Sequence, residues 1–355
     1  MASLFVRPLI ESERRCGFRS RGICAGGETD EYFEVLEGAC IRSDNVLQAA
    51  LGVQRLWRLF KKEEPDIVIC HNSISVLIPL LVAYFSGIKS RVYFNHGVPF
   101  LGYRGFKRVC FWMLEYWNLK VSTHVITVSK SMKSTLLQLP RTEVLSVDML
   151  GPGSCCGVTI GRNDAELDAE TERLRKNFNI KQTDVVFLFV GRPTTRKGLK
   201  FCLKLWSQKR LGDRAKLVLC GPNLGDVLSL NGDCPQNVLP IGFQVQMDPW
   251  YRLSDAVILP SLHEGLPYAV LEGFCHGKPA IVNSVPGLVD LVTDTALGWP
   301  LAIDDVSQFT DTISSIVSDR STAQMKSGAC IERAKEFSRD RIIKIYIDKL
   351  QSYRR

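Results

Sequence analysis

Two short segments carry side chains whose types and spacing suit a phosphorylated, hydroxyl-rich ligand. The first, Ser261-Leu-His-Glu-Gly-Leu-Pro-Tyr-Ala-Val-Leu-Glu-Gly273, sets Glu264 and Glu272 in an E-x7-E spacing. It follows the apolar run Ala256-Val-Ile-Leu259, so it lies where a buried strand hands over to a helix. Pro267 suits the first turn of that helix, which the pattern continues from Tyr268 to Gly277. Free amides at a helix start favour an anion, and Gly265 lets a ligand approach the backbone. Two carboxylates beside an anion site make sense where they accept hydrogen bonds from hydroxyls, as a sugar ring and a ribose supply; the plain alternative is a helix with a surface glutamate. The second segment, Gly191-Arg-Pro-Thr-Thr-Arg-Lys-Gly198, comes directly after the run Val185 to Val190. Arg192 and Lys197 flank a short turn before a helix that Gly198 begins, and two cations there would grip a diphosphate. Each charge-assisted hydrogen bond contributes about 1.5 to 3 kcal/mol. Many loops of this type carry Lys and Arg, so the weight lies in the pairing of the two segments.

The elements that must position these residues are short β-branched runs separated by helix-length stretches. They are Ile67 to Cys70, Arg91 to Phe94, His124 to Val128, Val185 to Val190, Leu217 to Cys220, Ala256 to Leu259 and Ala280 to Val282. Such runs predict parallel strands buried on both faces, with ligands at their carboxyl ends. Two series occur, before about 150 and after about 183. The fold expected is α/β: two doubly wound, Rossmann-like domains facing a cleft. Between the series lie the turn-rich Gly151-Pro-Gly-Ser154 and a charged helix over Arg162 to Lys176. The expected division is 1–165, 166–338 and a carboxy-terminal helix in 339–355 that packs back on the first domain. That helix shows Ile342, Ile343, Tyr346, Ile347 and Leu350 on one face.

Composition narrows the class. The chain has 355 residues, 45% hydrophobic and 23% charged, which suits two globular domains and excludes disorder as the main state. Twelve cysteines without a C-x-x-C pair argue against a disulfide scaffold and structural zinc, and most read as small buried hydrophobes in a reducing cytoplasm. Lys and Arg outnumber Asp and Glu by 45 to 37, a surplus that suits phosphorylated ligands or an anionic membrane surface and does not argue for nucleic acid. The amino-terminal residues, without a long apolar stretch, are not expected to act as a signal peptide. The longest apolar run, Ile74 to Ile88, is interrupted at Ser75, Pro79, Ser86 and Gly87 and falls short of the ~20 residues of a membrane span. The protein is expected in the cytoplasm, at most peripheral on the inner face of the membrane.

The two segments together resemble a retaining glycosyltransferase of family 4 with the GT-B fold, of the kind that builds bacterial lipid-linked, capsular and envelope glycans. Arg192, Lys197, Glu264 and Glu272 match the family's G-R-x4-K-G and E-x7-E motifs in order and spacing. Tyr251-Arg-Leu-Ser-Asp255 is similar to the family's Y-x-x-A-D step, with Ser254 in place of Ala, and Gly277-Lys-Pro-Ala-Ile281 and Pro286-Gly287 fit the pattern that follows. The match covers roughly 180 to 335. It implies that Arg192 and Lys197 hold the donor diphosphate and Glu272 the ribose. It also implies that Glu264 contacts the transferred sugar as a positioner, and that Gly265, Leu266 and Pro267 line the site. By the same resemblance, Gly242 and Phe243 lie beside the nucleotide base, with UDP preferred to GDP. No D-x-D triplet occurs, so no metal and no cofactor are expected at the diphosphate.

The amino-terminal half resembles the family less tightly. Val92-Tyr-Phe-Asn-His-Gly-Val-Pro-Phe100 puts His96 at a strand end, where family members carry a histidine near the reacting sugar. His71 has the same type of position, and His124, which opens a strand, reads as structural. Leu150-Gly-Pro-Gly-Ser-Cys-Cys-Gly-Val158 resembles a G-x-G-S-x-x-G-V-D segment, with Thr159 in place of Asp. Pro8 to Gly17 resembles the family's first helix and Arg19 to Ala25 its second strand, so the first strand and Gly-rich loop are expected to be missing; Gly26-Gly27 does not replace them. Tyr103-Arg-Gly-Phe-Lys-Arg-Val-Cys-Phe-Trp-Met113 interleaves Arg104, Lys107 and Arg108 with aromatics. It suits anionic lipid headgroups or, equally, a core helix with a solvated basic edge. The implied reaction moves a glycosyl unit from a nucleoside-diphosphate sugar to a glycan or glycolipid hydroxyl with retention. Three alternatives stay open: a nucleotide-sugar epimerase, a non-enzymatic nucleotide-sugar binder, and a synthase of a free disaccharide.

Overall fold

Val185-Val-Phe-Leu-Phe-Val190 is apolar at every position, and in the structure its first five residues are buried. A run with no polar face is stable only where both sheet faces are covered, which places it in the middle of a parallel sheet. The structure, a computed structural model, describes residues 5–24, 30–35, 46–139, 146–161 and 164–354. The chain divides into two units, 1–157 with 339–355, and 158–338. The division falls between Gly157 and Val158, ahead of the expected 165/166, and the carboxy-terminal helix Arg339–Tyr353 belongs to the first unit.

The first unit holds β1 (Gly22–Cys24) paired in parallel with β2 (Phe33–Val35). A second parallel sheet runs in the order β3 (Ile67–His71), β4 (Ser90–Asn95), β5 (His124–Thr127), β6 (Ser146–Met149). Leu80, Tyr93, Val98, Val125, Met132 and Leu136 form the centre of its core. The helix Arg339–Tyr353 buries Ile342, Tyr346, Ile347, Leu350 and Tyr353. Its Tyr346 hydroxyl donates to Glu13, and its Tyr353 hydroxyl donates to Asp148 at 2.8 Å. The His124 ring stacks on Tyr353 with centroids 3.9 Å apart, a packing role. Gly26 and Gly27 lie outside the described residues.

The second unit is one six-stranded parallel sheet. Its members are β7 (Val185–Val190), β8 (Ala215–Cys220), β9 (Val238–Gly242), β10 (Ala256–Leu259), β11 (Ala280–Asn283) and β12 (Gly298–Leu301), in the order β12-β11-β10-β7-β8-β9. From β7 the chain moves outward through β8 to β9, then returns to β7's other side at β10. The carboxyl ends of β7 and β10 therefore flank a topological switch point, where doubly wound sheets leave a crevice. Arg162 lies outside the described residues; the charged helix runs Ala165–Asn177, capped by the Asp164 carboxylate, which accepts from Leu167 N–H at 2.8 Å.

Candidate active site

Both chemistry-bearing segments emerge at that switch point. After β7 the chain makes a short 3-10 turn, Thr195–Lys197, and reaches Gly198 at φ +78°, which caps the helix Leu199–Ser207. A Cβ at Gly198 would stand 2.2 Å from the Pro260 carbonyl oxygen, so only glycine allows the loop after β7 to lie against the loop after β10. The two loops are stitched by backbone: Leu262 N–H donates to Arg196 O at 2.8 Å. Gly287 closes the other side, because a Cβ there would stand 2.5 Å from Glu264 O and 2.6 Å from Gly265 O. Gly265, Leu266 and Pro267 are accordingly buried.

This stitching brings Lys197 and Glu264 together: Lys197 Nζ donates to Glu264 Oε1 at 2.7 Å. Glu264 is 5% exposed, so its carboxylate depends on that ammonium and on the Arg196 guanidinium at 3.9 Å. Arg196 also donates to His263 O at 3.0 Å. It stands among the unspecified positions of the G-R-x4-K-G spacing, and its charge was the only sequence signal for it. Arg192 is exposed and, among the described residues, enters no ion pair. The loop thus leaves Arg192 exposed and sets both Lys197 and Arg196 against the Glu264 carboxylate.

Glu272 lies on the helix Tyr268–Cys275, where Tyr251 donates its phenol proton to Glu272 Oε2 at 2.8 Å. Burial and the adjacent Glu272 carboxylate keep the Tyr251 hydroxyl protonated well above the ordinary phenol range, which fixes it as the donor. The helix differs from its expected span at both ends. Pro267, at φ −79° and ψ 103°, is the cap residue and not part of the first turn. The helix stops before Gly277, whose φ of +67° leaves the right-handed helical region. Gly242, at φ +70°, ends β9 and hydrogen-bonds to Pro222 O, while the Phe243 ring is 82% exposed.

In the first unit, His96 follows β4 and meets His71, the last residue of β3, with Nε2 3.1 Å from Nδ1. Burial lowers His96 to about 4 and lowers His71 as well, so both imidazoles are neutral near pH 7. A buried network supports the loop: Glu115 Oε1 accepts from Tyr93 at 2.8 Å and Asn95 at 2.9 Å, and Asn95 Oδ1 accepts from Gly97 N–H at 3.1 Å. Burial raises Glu115 to about 8. Arg104, Lys107 and Arg108 are exposed at the start of the helix Gly105–Val121. That helix buries Glu115, Asn118, Leu119 and Val121 and leaves Phe106, Val109, Met113 and Trp117 exposed. The residues outside form one apolar stripe, so the basic positions flank an uncovered face. Among the described residues no helix is long and apolar enough to cross a membrane.

Residues 6–146 match the family described as Glycosyltransferase Family 4, and residues 170–337 match Glycosyl transferases group 1. The chain is 25% identical over 304 residues to the UDP-Gal:alpha-D-GlcNAc-diphosphoundecaprenol alpha-1,3-galactosyltransferase of Escherichia coli, covering 79% of this chain and 73% of that protein. It is 23% identical over 273 residues to the capsular polysaccharide biosynthesis glycosyltransferase CapM of Staphylococcus aureus, covering 74% and 70%. Among solved structures, Anabaena HepE in complex with UDP and glucose superposes with a TM-score of 0.80 at 15% identity over 99% of this chain and 97% of that one. Sucrose-phosphate synthase from Thermosynechococcus elongatus gives 0.78 at 16% over 99% and 93%. At those identities the two structures establish likeness of fold, with two Rossmann-like domains of the GT-B kind. With a family 4 match in the first unit and a group 1 match in the second, the chain belongs to the GT-B glycosyltransferases.

Proposed function

We propose that this glycosyltransferase moves a hexosyl unit from a UDP-sugar to a hydroxyl of a lipid-linked or other envelope glycan, with retention of anomeric configuration. The observation that carries the reading is the pairing of Lys197 with the buried Glu264 at the switch point, in the loop that also bears the exposed Arg192. Departure of the diphosphate develops negative charge, which Arg192, Lys197 and the amides at the start of the helix Tyr268–Cys275 stabilise. Phosphate oxygens attract Lys197 away from Glu264, and the freed carboxylate turns to a sugar hydroxyl. Glu272, held by Tyr251, takes the ribose hydroxyls, and the exposed Phe243 offers a face to the base beside Gly242. The leaving phosphate receives the acceptor's proton on the same face, so Glu264 positions the sugar and forms no bond to it. The neutral His96 offers a hydrogen bond and no charge. UDP as donor and a polyprenyl-diphosphate glycan as acceptor are supported by the substrate named for the E. coli relative and by the UDP bound in HepE.

The stripe of Phe106, Val109, Met113 and Trp117 with Arg104, Lys107 and Arg108 supports contact with an anionic membrane surface, where such acceptors reside. Incubation with UDP-galactose, UDP-glucose or UDP-N-acetylglucosamine and a GlcNAc-diphosphopolyprenol tests the reaction, with the product anomer read by NMR. A product carrying the donor's α configuration is expected. A β product, or donor turnover absent for every UDP-sugar, overturns the proposal. Sedimentation with anionic liposomes should weaken in the Arg104→Ser/Lys107→Ser/Arg108→Ser variant; unchanged binding removes the membrane part.

A further inference from the structure

The strand order of the first unit brings together three metal-ligating side chains that stand far apart in sequence. His71 ends β3, His96 follows β4, and Cys155 lies in the turn-rich segment after β6. His71 Nδ1 and His96 Nε2 are 3.1 Å apart, Cys155 Sγ is 4.0 Å from His96 Nε2, and all three ligand atoms lie within 4.8 Å of one another. A tetrahedral zinc with N and S bonds of about 2.0 and 2.3 Å requires N···N near ~3.3 Å and N···S near ~3.6 Å. The imidazole pair already has that separation, and the thiol must close by about half an ångström or slightly more. The Phe94 ring stacks on both imidazoles, with centroids 4.9 Å from His71 and 5.3 Å from His96, which limits their rotation. The segment bearing Cys155 is pinned to the end of β5: Ser154 N–H donates to Val128 O at 2.8 Å, and a Cβ on Gly153 would stand 2.4 Å from that same oxygen. Both histidines border an open cavity of the first unit.

We infer that His71, His96 and Cys155 form a binding site for one divalent cation of borderline softness, with zinc as its representative. Two imidazoles and one thiolate favour such a metal over Mg2+ or Ca2+, which seek oxygen ligands. His71 Nδ1 and His96 Nε2 share one hydrogen bond, so on binding only the imidazole that donates it shifts its proton to its other ring nitrogen, the acceptor already offers a lone pair, and the Cys155 thiol proton leaves to solvent. No electron is transferred. The absence of a C-x-x-C pair does not bear on this site, because its ligands come from two separate strand ends and a later loop. Its ligands all belong to the first unit and the diphosphate-binding residues to the second; it meets the proposed reaction only at His96, which would give Nε2 to the cation and keep its Nδ1–H as the hydrogen-bond donor.

The test starts from the full chain with the exposed Cys16 and Cys110 replaced by Ser. Titration with Co2+, followed by absorption and then by competition with Zn2+, is expected to show one site per chain with a thiolate-to-cobalt band, unaffected by excess Mg2+. Cys155→Ser should abolish that band, and His71→Gln should weaken Zn2+ binding by about 100-fold or more. Cys156→Ser should leave both unchanged. If Cys155→Ser does not fold, the His71→Gln affinity decides. Absence of a saturable site, a band that survives Cys155→Ser, full affinity in His71→Gln, or a band lost in Cys156→Ser instead overturns the assignment.

Discussion

Replacing Lys197 by Met keeps much of the side chain's bulk and removes the charge that faces Glu264. The ammonium sits 2.7 Å from a carboxylate that is only 5% exposed. Removing one partner of a buried pair costs about 3 to 5 kcal/mol, because the other charge is left without compensation. Here the Arg196 guanidinium remains at 3.9 Å, with 40% of its side chain exposed, and offsets part of the loss. The expected net cost is about 2 kcal/mol, which lowers the melting temperature by roughly 4 to 8 °C for a unit of this size. A double-mutant cycle isolates the pair: Lys197→Met with Glu264→Gln should recover about 1 kcal/mol of the single variant's loss, since no buried charge then remains. Denaturant and thermal unfolding of the whole chain read both quantities. A loss below about 0.5 kcal/mol for Lys197→Met, or an additive cycle, would show that the two side chains are not coupled.

Three other perturbations follow from the same geometry. Tyr251→Phe deletes the donor to Glu272 while keeping the buried ring, and should weaken UDP-sugar binding about 5- to 10-fold, roughly 1 kcal/mol, by calorimetry. Gly198→Ala places a Cβ 2.2 Å from Pro260 O at φ +78°, and a loss of at least about 2 kcal/mol together with donor binding is expected in unfolding and titration experiments. Glu115 has a folded-state pKa of about 8, raised from 4.5 by burial, so between those values the unfolded state binds fewer protons and stability falls as pH rises. The stability of Glu115→Gln relative to wild type should therefore grow from pH 4.5 to about 8 and level off above; a flat difference would contradict the buried, protonated carboxyl.

How far the sequence disclosed this molecule depended on how much of each element is buried. The runs at Val185–Val190 and Ala256–Leu259 were legible because central parallel strands are apolar on both faces. Ser146–Met149, Val238–Gly242 and Gly298–Leu301 were not read as strands; they lie at sheet edges and contain Asp148, Pro240 and Pro300, which an edge tolerates. The helix Arg339–Tyr353 was legible from its apolar face alone. Arg192, Lys197, Glu264 and Glu272 stood out because each pair falls in one contiguous loop or helix start. The turn of Arg196 towards His263, the reach of Tyr251 to Glu272 and the meeting of His71, His96 and Cys155 arise from strand order and loop packing, which no local spacing records.

The proposed function requires the switch point of the second unit to hold the diphosphate of a UDP-sugar through Arg192 and Lys197, with Glu272 on its ribose. Calorimetric titration of UDP into the full chain, its Arg192→Ala variant and its Glu272→Gln variant addresses it most directly. One site per chain is expected, weakened at least about 10-fold by each substitution, with the loss in Arg192→Ala shrinking as salt is raised. UDP affinity that is unchanged in both variants, or no saturable binding by the wild-type chain, would contradict it.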